Sequence, residues 1–89
     1  MRSPNYRRWS HKALVQEIRI LRKKRNLLKI ELDRHKVFAA EQKTKQLRAF
    51  WQHQVDRTAD TLDRVESTER LISGLIAEHH AELESSSHI

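Results

Sequence analysis

The sequence predicts an all-α protein, a long basic helix plus a shorter acidic helix with coiled-coil-like packing, completed by dimerisation or partner helices. Three observations predict it. Between Pro4 and Gly74 the chain has neither Pro nor Gly, and it is filled with Leu, Arg, Lys, Glu, Gln and Ala, which lose least on entering a helix. Its apolar residues recur in threes, fours and sevens. Its 89 residues are 37% hydrophobic and 34% charged, so burial has to run in stripes that one isolated helix could not cover.

Residues 1–9 read as a basic arm, and the first sixteen residues carry Arg2, Arg7, Arg8 and Lys12 before the first acid, Glu17, a pattern shared with organelle transit segments. Ser10 can cap a helix, and Trp9 before it has the hydrophobic-staple spacing to Leu14. A long amphipathic helix is expected over 10–57. Its seam runs Leu14, Ile18, Leu21, Leu28, Leu32 and Ala39, broken at Arg25 and His35. A second seam, Trp51, Val55, Leu62, Val65, Ile72, Ile76 and Leu83, is reached only through a phase slip near residues 40–46. Ile20, Leu27, Ile30, Val37 and Phe38 lie off the first seam and widen the surface that needs cover.

The expected break is Thr58-Ala59-Asp60, because Asp60 could cap a helix whose first turns carry Asp63 and Glu66 where the dipole favours acids. Thr44 followed by Lys45 and Gln46 makes a poorer start, and a single unbroken rod is the other form. The shorter helix is then 60–84, fraying near Leu83 into a polar tail, 85–89, with three consecutive serines.

Charge is divided along the chain. Residues 1–55 hold fifteen Lys or Arg against four acids, and residues 56–89 hold three against eight, giving +11 and −5 and the overall +6. Arg8, Lys12, Arg19, Arg22, Lys23, Lys24, Lys29 and Arg34 are the candidate contacts to an acidic macromolecule, most of them opposite the Leu14-Leu21-Leu28 seam. A nucleic-acid duplex, RNA or DNA, would be held by shape and phosphate, since few base-reading groups accompany the cations. An acidic protein surface would use the same side chains. The rival is a structural subunit threaded through a large assembly of microtubule, mitochondrial or ribosomal type, and a plainly solvated cationic face is the simplest alternative. A basic-leucine-zipper layout does not fit, because the Leu seam shares its residues with the basic run. Arg22-Lys23-Lys24-Arg25 has the composition of a nuclear-localisation tetrapeptide; a nuclear or cytoplasmic setting is favoured, with a mitochondrial one as the alternative.

Other chemistry is scarce. There is no Cys, hence no disulfide or thiolate site, and no apolar run approaches the ~20 residues of a membrane span. His79-His80 with Glu78, Glu82 and Glu84 is the one metal-like cluster, but His80 and Glu84 at i and i+4 supply two ligands where zinc takes three or four. No Gly-rich phosphate loop or Ser-His-Asp order is present, so neither enzyme activity nor a metal or other cofactor is expected. Trp51 is assigned to the seam and Phe50 to a second contact. Gly74, costing about 1 kcal/mol inside a helix, suggests another backbone passing close.

Overall fold

A computed structural model describes residues 4–87, with side chains as far as residue 83. Arg2, His88 and Ile89, and the Glu84 side chain, lie outside the described residues. The chain forms a single 3-10 turn, Tyr6–Arg8, and two helices, α1 (His11–Glu41) and α2 (Lys45–Ser87). They pack antiparallel as one hairpin, 68 Å in its longest dimension and 15 Å in its shortest.

Ser10 caps α1 as its sequence predicts: its hydroxyl accepts from the Ala13 N–H at 3.2 Å. Trp9 packs against the cluster containing Leu14, and Tyr6 meets Trp9 edge-on at 4.8 Å between ring centres. The described part of the basic arm is thus folded back on the hairpin. Burial, with the charge of Glu17 adding to it, holds the Tyr6 phenol above its usual pKa of 10.0.

The turn falls at Gln42–Thr44 instead of Thr58–Asp60. Thr44 takes the capping place, accepting from the Leu47 N–H at 3.3 Å, while the Gln42 amide donates to the Phe38 carbonyl at 3.0 Å. No described residue has a positive φ, so ordinary side chains make the reversal without Gly. Thr58 lies mid-helix and buried, and α2 runs unbroken through Asp60 and past Leu83 to Ser87. The acidic helix is therefore the longer one, 43 residues against 31. The phase slip between the seams is the turn itself; the capping signal at Asp60 loses because a break there would interrupt the second seam.

Those seams face each other. Along α1 the inward positions are 14, 18, 21, 25, 28, 32, 35 and 39; along α2 they are 51, 55, 58, 62, 65, 69, 72 and 76, all buried or half-buried, joined by Leu75, which the predicted seam leaves out, whereas Leu83, its last predicted member, is exposed. Their polar members meet. Arg25 donates to both carboxylate oxygens of Glu69, and His35 Nδ1 lies 3.1 Å from the Thr58 hydroxyl. The breaks in one seam are matched by polar residues of the other, which satisfies most of the groups that would otherwise be costly to bury, Arg25 Nε alone among these pairs staying buried without a partner. The densest core, Leu14, Ile18, Leu21, Val65, Ile72 and Leu75, sits at the open end beneath Tyr6 and Trp9. Toward the turn, half-buried Trp51 fills the space, stacked on Phe38 at 5.1 Å and beside His35 at 5.7 Å. No helix of the described residues is long and apolar enough to cross a membrane.

Candidate polyanion-binding face

Of the expected pairing residues, Leu14, Ile18, Leu21, Val55, Leu62, Val65 and Ile72 are buried, and Leu28, Leu32, Trp51 and Ile76 are half-buried. The eight candidate cations, Arg8, Lys12, Arg19, Arg22, Lys23, Lys24, Lys29 and Arg34, are all exposed. None of them forms an ion pair among the described residues, where the charged contacts are Arg7 with Glu78, Arg25 with Glu69, and His35 with Glu31. Docking of the acidic helix beside the basic one leaves the cationic surplus of α1 unspent, because α2 turns most of its acids to solvent.

Helix geometry divides the outside of α1 into separate lines. One residue beyond the core seam runs a mainly cationic line: Lys12, Arg19, Arg22, Lys29 and Lys36, with spacings of seven, three, seven and seven, and with Val15, Asn26 and a single acid, Asp33, among them. It covers about 36 Å at ~1.5 Å per residue. Two residues beyond the seam, facing directly away from α2, runs an apolar line: Ile20, Leu27, Ile30 and Val37, between 51% and 67% exposed. Lys23 and Arg34 stand on that second line, and Lys24 falls on the other flank, bordering a groove with Tyr6, Glu17 and Arg64. The seven foreseen cations of α1, most of them expected on one face, thus occupy three, and Arg8 lies outside α1, on the 3-10 turn.

Two cations outside the expected set belong with the first line. Lys36 and Arg48 border a groove of about 450 Å³ floored by Ala39, Ala40 and Ala49 near the turn. Arg48 joins Lys36 only because the chain reverses at Gln42–Thr44, which no local pattern around Arg48 reveals. Arg25, by contrast, leaves the basic run for the interior.

At the open end His11 lies between His80, 5.1 Å away by ring centres, and His79, 6.0 Å away; its Nδ1 is buried without a hydrogen-bond partner. No group of three or more His, Asp or Glu among the described residues is arranged to hold a metal ion. Phe50 meets Trp51 edge-on at 5.3 Å and stays 54% exposed. A Cβ built on Gly74 meets nothing within 4 Å, so the close-passing backbone expected there is not supplied by the hairpin.

No protein-family model, curated protein or solved structure matches this chain.

Proposed function

We propose that this protein is a non-enzymatic helical binding module whose cationic line on α1 holds an acidic macromolecule, with the backbone of a nucleic-acid duplex the best-fitting ligand. The observation that carries this reading is the run Lys12, Arg19, Arg22, Lys29 and Lys36: exposed, without ion pairs among the described residues, and spread over about 36 Å of α1. Such a line follows phosphates by position and charge, and its ligand would be read by shape. The test is a salt series on duplex RNA and duplex DNA. Affinity should fall linearly in log salt, and Arg19→Gln, Arg22→Gln and Lys29→Gln should each flatten the slope, by about 0.9 on B-DNA for each phosphate left without its cation. Lys24→Gln, on the other flank, should leave the slope unchanged. Salt-insensitive or absent duplex binding defeats the reading.

A second reading, a structural subunit within a larger helical assembly, draws support from a different observation. Ile20, Leu27, Ile30 and Val37 are exposed on the side of α1 that α2 cannot reach, and phosphates offer such residues nothing.

A further inference from the structure

We propose that the apolar line Ile20-Leu27-Ile30-Val37 is covered by the same line of a second copy of this chain, the two α1 helices lying antiparallel about a two-fold axis between residues 28 and 29. The proposal is separate from duplex binding, since it uses a different line of α1 and needs no nucleic acid.

The argument begins with what the hairpin leaves undone. The four side chains are 59%, 67%, 51% and 54% exposed, and their spacing of seven, three and seven repeats the helix-pairing spacing of the core seam on the opposite side. α1 is therefore apolar on two opposite faces, and α2 occupies one. Among helical partners the spacing favours a copy of itself. Under the two-fold axis Ile20 of one copy comes level with Val37 of the other, and Leu27 level with Ile30, so each apolar residue meets an apolar residue without any change in the chain.

The flanks agree. The same axis brings Lys24 of each copy within two residues, about 3 Å along the axis, of level with Glu31 of the other, giving two opposite-charge pairs by symmetry. On the outer face of α2 exposed Phe50 and Leu71 stand 21 residues apart, and positions 56, 57, 60, 63, 64, 67 and 70 between them are all charged or hydroxylated, so no continuous apolar line runs there. Like charges also meet: Lys23 comes level with Arg34, twice by the same symmetry, on long stems that can bend away to water, and the cationic lines of the two copies are brought to one surface. The copies therefore associate through apolar burial against charge repulsion, and added salt should strengthen the dimer while it weakens duplex binding. In this arrangement α1 is the inner layer, the order across the particle being α2, α1, α1 and α2, and the two cationic lines lie side by side on one surface.

Mass by sedimentation equilibrium or light scattering, from micromolar to hundreds of micromolar and at rising salt, gives the first test. Twice the 10.7 kDa chain mass is expected, with the dimer fraction increasing with salt. Leu27→Glu combined with Ile30→Glu should return the chain to a monomer with unchanged helical circular dichroism, since neither residue belongs to the core. The chain has no native Cys, so orientation can be read directly: Ile20→Cys chains mixed with Val37→Cys chains should form a disulfide between the two kinds, and Ile20→Cys chains alone should not. A monomer throughout overturns the proposal. So does a dimer indifferent to the double Glu substitution, an Ile20→Cys disulfide with itself, or a dimer that dissolves in salt; the first of these would hand the apolar line to a different protein's helix.

Discussion

Arg25 of α1 reaches across the hairpin to Glu69 of α2, and a single guanidinium nitrogen, Nη1, donates to both carboxylate oxygens. The Arg25 side chain is 28% exposed and that of Glu69 13%, so each is largely removed from water. Their attraction largely repays the cost of that removal, and the cost of losing one partner is larger than the net contribution of the pair. Glu69→Ala should destabilise the hairpin by about 2 to 3 kcal/mol, below the 3 to 5 of a fully buried pair because Arg25 keeps part of its hydration. Replacing both residues by Leu should leave stability unchanged or raise it. Urea denaturation of the three proteins checks this, and a double-Leu protein weaker than Glu69→Ala would contradict it.

The position of the turn can be tested by its cap. Thr44→Ala removes the hydroxyl that accepts from Leu47 N–H and should cost about 1 kcal/mol. Asp60→Ala, at an exposed mid-helix position, should stay within about 0.5 kcal/mol of the parent. Thermal melts that reverse this order would place the helix start at residue 60 after all.

Gly74→Ala should stabilise. The glycine sits inside α2 and is exposed, with open space where a Cβ would go, so Ala adds helix propensity without a clash. The gain should be about 1 kcal/mol, equivalent to about 4 to 8 °C in melting temperature for a domain of this size. A lower melting temperature would show that another chain approaches the glycine.

Tyr6 makes the open end sensitive to alkali. Its phenol keeps its proton to higher pH in the folded chain than in the unfolded one, because of burial and then the nearby Glu17 carboxylate. The folded state is therefore favoured in full below about pH 10, and that contribution is lost as pH rises through the folded-state value. Melting temperatures from about pH 9 to about pH 12, a span that brackets the phenol's ordinary range, should fall less steeply for Tyr6→Phe than for the parent. Parallel curves would remove Tyr6 as the source of the alkaline sensitivity.

Helix content, the Ser10 cap, the first seam and the second as far as Ile76 were legible in the sequence, since each depends on residues within one or two turns of one another; Leu83 is exposed instead, and Leu75 takes a core place the seam did not give it. The turn was legible as a phase slip but was placed elsewhere, because Asp60 with Asp63 and Glu66 makes a stronger local start than Thr44 followed by Lys45. Local preference lost to the continuity of Trp51, Val55, Thr58 and Leu62 along α2. Arg25 and His35 looked like faults in the first seam; only the antiparallel register reveals Glu69 and Thr58 as their partners. Exposure of the candidate cations follows from their distance from the seam, whereas their division among three lines needs the direction from which α2 covers α1.

The polar pairs across the hairpin also settle where this chain can tolerate a change of length. A seven-residue slip in one direction would set Arg25 against Leu62 and Glu69 against Ile18; in the other it would set them against Ile76 and Leu32. Either slip strands two charges among hydrocarbon, a far larger cost than that of a longer connection, which grows only as the logarithm of its length. Alignment of the helices is thus written into their facing side chains and owes little to the three residues that join them. Extra residues inserted at Gln42–Thr44 would bulge outward and leave every inward pair in place, while the same insertion within either helix would rotate half of its seam into water.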